Sequence, residues 1–254
     1  MDIRIIGSVP EEQSFRYALT GFVVNGTLAI DAGPLALGLT LTEQNALRDI
    51  ILTHTHIDHL ATLPLFLDNR MGEPDPVPLI HSTAHNLSIL KTHLFNDALW
   101  PDLTRISERF LRLQEVAPYQ EVQLPDFIFH LFPVRHPTPT CGVFLEEQPS
   151  GIQVLFSADT TACDTLWEEA NRHARLRAMV IELSFPDVYR DLALSSGHLT
   201  PSLLQEELQK CNRRIPIFLT HYKMKYLEAI RKDLAAIRDY DLHICRVGET
   251  IHLE

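Results

Sequence analysis

The sequence predicts an α/β fold in which two mixed β-sheets pack face to face and helices cover the outer face of each sheet. Short apolar runs alternate with helical patterns along most of the 254 residues. The turn residues Asn25-Gly26 and Asp31-Ala32-Gly33 separate the strands of the first half. The second half repeats the alternation of strand and helix, so we expect a single domain over residues 1–254.

Individual elements follow from the hydrophobic pattern. Apolar or alternating runs predict strands at 2–7, 17–24, 27–31, 50–53, 77–81, 127–134, 141–146, 152–157, 178–182, 216–219 and 243–247. Helical periodicity predicts helices at 43–49, 59–68, 83–96, 161–174, 201–211 and 223–237. The proline-rich stretch 73–78 is expected to be a linker between two of these elements.

The charge of the chain limits its partners. It carries 33 acidic and 22 basic side chains, for a formal net charge of −11. This charge opposes the binding of a long polyanion, so extended nucleic acid is not an expected partner. Bound divalent cations would concentrate positive potential at one place, where a small anionic substrate could be attracted.

The N-terminus and the cysteines bear on location. Residues 1–6 run straight into a strand pattern, without a basic region and a long apolar segment, so we expect no signal peptide and no membrane span. The four cysteines are widely spaced and form no Cys-x-x-Cys pair: Cys141, Cys163, Cys211 and Cys245. We therefore expect reduced, mostly buried thiols in a cytoplasmic protein.

One short segment carries most of the chemical information. Directly after the apolar run 50–52, three imidazoles and one carboxylate fall within six positions, as His54, His56, Asp58 and His59. Imidazole nitrogen and carboxylate oxygen are the ligands that zinc and related divalent metals accept. The alternation of His54 and His56 places them on one side of a strand end. The segment therefore predicts a metal site.

Further ligands are expected at other strand ends. His136 follows the predicted strand 127–134 and precedes Pro137, which favours an extended backbone at the histidine. Asp159 follows the run 152–157, and His221 follows 216–219. A rigid strand end can fix a ligand while the loops around it shape a pocket.

These residues resemble the metallo-β-lactamase superfamily, whose His-x-His-x-Asp-His motif is matched by residues 54–59. The resemblance implies the αββα sandwich of that superfamily and two bound metals. One metal would be held by His54, His56, His136 and Asp159. The other would be held by Asp58, His59, Asp159 and His221, so that Asp159 bridges both.

A finer resemblance is to the class II cyclic-nucleotide phosphodiesterases. It rests on the segments 93–103 (His-Leu-Phe-Asn-Asp-Ala-Leu-Trp-Pro-Asp-Leu), 181–186, 197–201 and 219–223. The last segment usually reads His-Ile-Lys-Pro or similar in that family, and Tyr222 and Met224 depart from it.

The resemblance implies hydrolysis of 3′,5′-cyclic nucleotides, cyclic AMP or cyclic GMP, to 5′-monophosphates by a hydroxide bound to two metals. Zinc fits the histidine-rich ligands, although manganese and iron(II) accept the same set. Asp58, His198 and Glu182 are the expected catalytic residues. Glu182 would polarise His198, which would protonate the leaving 3′-oxygen. The family also implies a homodimer.

The pattern at His198 has a structural interpretation as well, since Thr200 and Pro201 are typical of the first residues of a helix. At the level of function, glyoxalase, lactonase and β-lactamase activities stay open in principle but explain the Trp100-Pro101-Asp102 and Gly197-His198 segments less well, and two other classes compete. One is the ribonuclease Z group, which cleaves the 3′ end of tRNA and shares the ligands and a similar Glu182 and His198 pair; the net charge and the Trp100-Pro101-Asp102 segment disfavour it. The other is a noncatalytic binding module, which the complete ligand set disfavours.

The remaining histidines are expected to be structural or exposed. His81, His85 and His93 share a spacing but no carboxylate, and His93 could line the pocket. His130 lies inside a strand pattern, and three further histidines have no ligand-like neighbours: His173, His243 and His252. Asp31 resembles the Asp-x-Gly turn of the superfamily and is expected to support the metal-binding loop.

Overall fold

The computed structural model describes residues 1–6, 19–73 and 78–254. In these residues the strands, in chain order, are β1 (Asp2–Ile5), β2 (Phe22–Val24), β3 (Leu28–Ile30), β4 (Asp49–Ile51), β5 (Leu79–Ser82), β6 (Arg112–Glu115), β7 (Val122–Gln123), β8 (Phe127–Val134), β9 (Thr140–Glu147), β10 (Gln153–Phe156), β11 (Leu176–Glu182), β12 (Ile217–Thr220), β13 (Leu242–Ile244) and β14 (Thr250–His252).

The α-helices of the same residues are α1 (Leu35–Gly38), α2 (Leu41–Ala46), α3 (Leu63–Asn69), α4 (Ala84–Ile89), α5 (Leu103–Ile106), α6 (Asp164–Arg172), α7 (Arg190–Ser196), α8 (Pro201–Leu208) and α9 (Leu227–Leu234). A π-helical turn, Leu90–Leu94, continues α4. Short 3₁₀ turns occur at Ile57–His59, Asp187–Tyr189 and Met224–Tyr226.

The strands form two seven-stranded sheets with mirrored organisation. The first sheet has the order β14-β1-β2-β3-β4-β5-β6, and the second has the order β13-β12-β11-β10-β9-β8-β7. Strands β3 to β6 are parallel, as are β10 to β13, and the remaining pairs are antiparallel. In both sheets the carboxyl ends of the parallel strands, and the loops that follow them, lie at the same edge of the molecule.

The inner faces of the two sheets share one apolar core. Phe22 of the first sheet lies against Phe156 of the second, with ring centroids 5.4 Å apart. Ile30 joins them from the first sheet, and Phe129 and Val143 join them from the second. Each fully buried aromatic or branched side chain contributes about 1.5–3 kcal/mol to folding through its removal from water.

Helices cover both outer faces. On the first sheet, Phe66 of α3 belongs to a second core with Ile80 of β5. On the second sheet, Trp167 of α6 and Leu204 of α8 belong to a third core with Ile181 of β11. The result is four layers, helices-sheet-sheet-helices, and the predicted fold class is confirmed.

Most predicted elements are present with shifted ends. The helix predicted at 43–49 spans Leu41–Ala46, because Thr40 caps it and forms a capping box with Glu43. The helix predicted at 223–237 is a 3₁₀ turn followed by α9. Residues 17–18 of one predicted strand, and most of the predicted linker at 73–78, lie outside the described residues.

Several short elements were not predicted: α1, α5, α7, β6, β7 and β14. The strands among them have two to four residues, too few for a period to be read from the sequence. They extend or close the sheets and do not change the layered arrangement.

All four cysteines are free thiols, and Cys141 and Cys245 are buried. Burial raises the pKa of the Cys141 thiol to about 11, and burial with nearby Glu249 raises that of Cys245 to about 12. These two thiols therefore stay protonated and unreactive at neutral pH.

Among the described residues, no helix combines the length and the apolar character needed to cross a bilayer.

Candidate metal centre

The predicted ligands meet at one edge of the sandwich, where strands of both sheets end. The loop after β4 carries His54, and the 3₁₀ turn that follows it carries His59. From the second sheet, the ends of β8, β10 and β12 deliver His136, Asp159 and His221. The strand ends, and the short segments that directly follow them, thus bring ligands of both sheets together at this edge.

Four side chains form a first cluster: His54, His56, His136 and Asp159. His136 Nε2 lies 3.2 Å from His56 Nδ1. Asp159 Oδ2 lies 3.7 Å from His54 Nε2 and 3.9 Å from His136 Nε2. The ring of His54 is fully buried, whereas His56 is exposed, so the cluster opens to solvent on the His56 side.

A second cluster adjoins the first and consists of Asp58, His59 and His221, with the other oxygen of Asp159 beside them. His221 Nε2 lies 3.4 Å from His59 Nε2 and 3.2 Å from Asp58 Oδ2. Asp159 Oδ1 lies 3.3 Å from His59 Nε2 and 3.4 Å from His221 Nε2. The two oxygens of Asp159 therefore face different clusters.

The donor atoms fit a divalent cation in each cluster. Ligands at about 2.0–2.1 Å from a tetrahedral zinc lie about 3.3 Å from one another, which is the spacing seen among most of these atoms. His54 Nε2 is buried and has no hydrogen-bond partner, although an unpartnered buried nitrogen is costly. The Nε2 atoms of His59 and His221 face each other at 3.4 Å, and a cation between them would be a partner for both.

Three residues at or just after the ends of strands have a strained backbone conformation. Asp31, Ala158 and His221 have φ values of 59°, 52° and 60°, in the left-handed region that side chains other than glycine seldom adopt. Asp31 directly follows β3, His221 directly follows β12, and Ala158 lies two residues after β10. Such conformations cost about 1 kcal/mol or more each and concentrate at functional sites.

Gly33 lets the metal-binding loop approach the turn after β3. A Cβ at this position would lie 2.0 Å from the carbonyl oxygen of Asp58 and 2.7 Å from that of Thr20. The loop is further held by Ala32 N, which donates to the carbonyl oxygen of His59 at 2.7 Å. Any side chain at residue 33 would displace backbone next to two expected ligands.

Asp31 supports two of the histidines from below. Its Oδ2 accepts a hydrogen bond from His59 Nδ1 at 2.7 Å. Its carboxylate also accepts from Thr53 Oγ1 at 2.9 Å, and Thr53 Oγ1 in turn lies 3.1 Å from His54 Nδ1. These bonds fix the ring orientations and leave Nε2 of both histidines for a cation. The predicted supporting role of Asp31 agrees with these contacts.

Glu182, at the end of β11, organises the opposite wall of the centre. His198 Nδ1 donates to Glu182 Oε1 at 2.9 Å, and the backbone N–H of Leu199 donates to the same oxygen at 3.2 Å. Ser184 Oγ donates to Glu182 Oε2 at 3.0 Å. The ring centroid of His198 lies 5.4 Å from that of His221, so this pair adjoins the second cluster.

Electrostatics keep the carboxylates of the centre ionised. Burial opposes ionisation of Asp159, but His221 and His59 hold the pKa of this carboxyl well below its usual value. Burial also raises the pKa of Asp58, yet the hydrogen bond from His221 and the proximity of His59 bring it far below normal. Both groups are therefore available as anionic ligands at any physiological pH.

The histidines separate into two groups. Burial lowers the pKa of three imidazoles, His54, His56 and His136, which favours the neutral form that a metal requires. Burial also disfavours the charged form of His59, but Asp159 and Asp31 raise its pKa well above normal. His198 behaves similarly: burial lowers its pKa, and Glu182 more than reverses this. The raised pKa of His198 suits a proton donor, whereas a cation bound at His59 would have to displace the proton from Nε2 of that ring.

The structure thus brings together every residue expected at the site, as metal ligands or as catalytic groups. Sequence reasoning did not assign roles to two hydroxyl residues, Thr53 and Ser184. Thr53 precedes His54, and Ser184 lies two residues after Glu182, so adjacency was the only available signal. Single hydroxyl side chains are too common in sequences for such adjacency to predict a function.

A separate polar cluster corrects one expectation. His173, expected to lack ligand-like neighbours, donates to Glu169 Oε1 at 2.7 Å, and His130, on a strand as expected, donates to the same oxygen at 2.6 Å. Arg172 also pairs with Glu169. These are hydrogen-bonding distances, shorter than the 3.2–3.4 Å between neighbouring donor atoms of the second cluster. The cluster is therefore a hydrogen-bonded network that links α6 to β8.

The histidines at 81, 85 and 93 have structural or exposed positions, as expected. His81 is buried and its Nε2 lies 2.8 Å from Asp49 Oδ1, whereas His85 and His93 are exposed. The segment 93–103, which carries the resemblance to the phosphodiesterases, is held by hydrogen bonds within itself and to residue 92. Asn96 Nδ2 donates to the carbonyl oxygen of Thr92 at 3.0 Å, and Trp100 N donates to that of Leu94 at 3.1 Å.

Comparison with known proteins places this geometry in context. Residues 27–222 match the family model described as Beta-lactamase superfamily domain. A probable 3′,5′-cyclic-nucleotide phosphodiesterase of Yersinia pestis is 24% identical over 222 residues, covering 75% of this chain and 63% of that protein. Ribonuclease J of Thermus thermophilus is 24% identical over 253 residues, covering 93% of this chain and 42% of that protein.

Among solved structures, unliganded yeast PDE1 superimposes with a TM-score of 0.84 over 99% of each chain, at 17% identity. This likeness establishes the fold. The chain spans less than two thirds of the length of the two curated relatives described above. Because the family model covers most of the chain, including the metal-binding loop, Asp159 and His221, the protein belongs to the β-lactamase superfamily and has its metallo-β-lactamase fold.

Proposed function

We propose that this protein is a metal-dependent phosphodiesterase that hydrolyses 3′,5′-cyclic nucleotides to 5′-monophosphates. One observation carries the proposal: Asp159 turns one oxygen to each of two histidine clusters, directly beside the His198–Glu182 pair. The names of the Yersinia pestis relative and of a Saccharomyces cerevisiae relative, 26% identical over 191 residues, support the choice of a cyclic nucleotide as substrate.

The ligands of the first ion would be His54, His56, His136 and Asp159, and those of the second would be Asp58, His59, His221 and Asp159. When bound, two divalent ions would supply hydroxide near neutral pH and neutralise charge on the phosphoryl oxygens. Zinc is the proposed metal, because imidazole and carboxylate are ligands it prefers in such sites.

A side chain of the protein would supply the proton that the leaving O3′ takes up. His198 Nδ1 donates to Glu182, so Nε2 is the nitrogen available for proton transfer. A bond forms between the attacking oxygen and phosphorus while the bond from phosphorus to O3′ breaks, and His198 would donate a proton to O3′ as it leaves. The raised pKa of His198 keeps that proton in place before the reaction.

Asp58 contributes in two ways. Its carboxylate is part of the second cluster, and its pKa is far below normal, so it is a permanent negative charge at the open side of the centre. It would bind the second ion and orient the attacking group. The neighbouring Ile57, 68% exposed, places an apolar side chain at the rim between His56 and Asp58.

A ribonuclease is the second candidate, because the match to ribonuclease J extends over 93% of the chain. The net charge of −11 opposes it, since binding of an RNA depends on neutralising several phosphates with basic side chains. A single cyclic phosphate carries one charge and does not need such a surface.

The experiment compares substrates on one preparation. Protein reconstituted with zinc or with manganese is incubated with cyclic AMP, cyclic GMP and a precursor tRNA that carries a 3′ trailer, beside a chelated control. We expect release of 5′-monophosphate that the chelator abolishes. Cleavage of the trailer with inert cyclic nucleotides would instead establish the ribonuclease.

A further inference from the structure

We infer that Ser184 is a positioning residue that joins Glu182 to the metal ligand His221, so that one carboxylate supports both the proton donor and the second cluster. The inference rests on the two-ion centre of the proposed function and is independent of the identity of the substrate. It assigns Glu182 a task beyond the orientation of His198.

The contacts of Ser184 are unusually complete for one hydroxyl group. The side chain is fully buried at the end of β11. Its Oγ lies 3.0 Å from Glu182 Oε2, 2.9 Å from His221 Nδ1 and 3.2 Å from His198 Nδ1, and 3.2 Å from the carbonyl oxygen of His221. The hydroxyl therefore stands between the carboxylate and both histidines.

The number of hydrogens on His221, Ser184 and His198 favours one arrangement of the hydrogen bonds among them. His221 Nε2 faces Asp58, His59 and Asp159, so a cation there requires this nitrogen unprotonated and the proton on Nδ1. The Nδ1–H can then donate to Ser184 Oγ. The hydroxyl hydrogen has two acceptors beside it, Glu182 Oε2 at 3.0 Å and the carbonyl oxygen of His221 at 3.2 Å, and the nearer, charged carboxylate is the stronger one. The other oxygen of that carboxylate, Oε1, accepts from His198 Nδ1.

The same pattern of hydrogen bonds occurs at the end of the first sheet. Asp31 accepts directly from His59 and reaches His54 through the hydroxyl of Thr53. Glu182 accepts directly from His198 and reaches His221 through the hydroxyl of Ser184. Each sheet thus contributes one buried carboxylate that holds one histidine directly and a second through a hydroxyl group.

Loss of the hydroxyl has a defined consequence. In Ser184→Ala, the Nδ1–H of His221 would lose its acceptor, and the balance would move toward the tautomer with the proton on Nε2, which can donate to Asp58. That proton must be displaced before a cation can bind. Outer partners of a metal-bound histidine typically change metal affinity by about 10- to 100-fold, and we expect this range for the second equivalent of zinc alone.

The test titrates metal-free protein with zinc in competition with a fluorescent chelator, without substrate. Ser184→Ala should bind the first equivalent as the wild type does and the second about 10- to 100-fold more weakly. Ser184→Thr, which keeps a hydroxyl, should recover most of the loss. The matched control is Ser157→Ala, since Ser157 is also buried but its Oγ bonds only to backbone: it accepts from the N–H of Glu182 at 3.0 Å and donates to the carbonyl oxygen of Ala158 at 2.7 Å.

A second measurement does not depend on metal affinity. Long-range ¹H–¹⁵N spectra of the metal-free protein report which nitrogen of His221 is protonated. Nε2–H can donate to Asp58 in every variant, but only Ser184→Ala lacks the hydroxyl that accepts from Nδ1–H, so we expect a larger fraction of Nε2–H in Ser184→Ala than in the wild type or Ser157→Ala. Equal zinc affinities and equal tautomers in both variants would overturn the inference. Two equivalents of zinc bound to a protein inert toward cyclic nucleotides would refute only the proposed substrate.

Discussion

Asp31 Oδ2 accepts a hydrogen bond of 2.7 Å from His59 Nδ1, and both side chains are almost fully buried beneath the metal-binding loop. Both oxygens of Asp31 accept, one from His59 Nδ1 and the other from the backbone N–H of Thr53, so in Asp31→Asn the amide NH₂ would face a donor in either orientation. The amide tolerates the left-handed backbone at this residue, so the fold should be retained. We expect zinc affinity to fall by about 10- to 100-fold in a chelator competition assay, and unchanged affinity would remove Asp31 from the support of the centre.

Asp159→Ala should lose metal and activity together. One oxygen of this carboxylate faces each cluster, so its removal takes a ligand from both at once. Elemental analysis of protein purified with excess zinc should find two equivalents in the wild type and fewer than one in the variant. Full metal content in Asp159→Ala would contradict the bridging role.

His198→Ala should keep both metals and lose turnover by about 10²-fold or more, since a positioned proton donor contributes that much to a hydrolysis. The matched control is His243→Ala. His243 is also paired with a carboxylate, 2.8 Å from Asp241 Oδ1, but lies half exposed on β13. Equal turnover of the two variants on cyclic AMP would exclude His198 from proton transfer.

Gly33→Ala should destabilise the protein by about 3 kcal/mol or more, because the new methyl group meets backbone oxygens that cannot move independently. Gly72→Ala is the comparison. It has a φ of +85° and open space around its Cβ position, so only the cost of the left-handed conformation, about 1 kcal/mol, applies. Urea unfolding of both variants measures the difference. A loss of similar size in the two would show that close approach at Gly33 is unimportant.

Glu169 should contribute stability that acid removes. Burial raises its pKa, but the hydrogen bonds from His130 and His173, and nearby Arg172, lower it to about 2 from 4.5. A carboxyl whose pKa is depressed by folding stabilises the native state fully above pH 4.5, and this stabilisation disappears as the pH falls toward 2. We expect Glu169→Gln to cost about 1–2 kcal/mol near pH 6, allowing for solvent screening, and much less near pH 2.5. A pH-independent cost, measured by urea unfolding, would contradict this interpretation.

The parts of the site that could be predicted share a property: their residue types are rare enough, and close enough together, to be informative. His54, His56, Asp58 and His59 lie within six positions, and His136, Asp159 and His221 each follow a clear apolar run. The layered fold was predictable for a similar reason, since its longer strands and helices have a readable period.

The remaining features depend on contacts between distant parts of the chain. Ser184 reaches His221 across 37 positions, and His130 reaches Glu169 across 39. No local pattern encodes such a pairing. Likewise, the requirement for glycine at residue 33 comes from the backbone of Asp58, which approaches it only in the folded molecule.

The ligands are contributed unequally by the two sheets: His54, His56, Asp58 and His59 follow the first, and His136, Asp159 and His221 follow the second. Bound ions would therefore fasten one sheet to the other at the open edge of the sandwich. A ligand present at about 100 times its dissociation constant stabilises the native state by about 2.7 kcal/mol. The supply of metal in the cell would thus govern the lifetime of the protein against proteases as well as its rate of turnover.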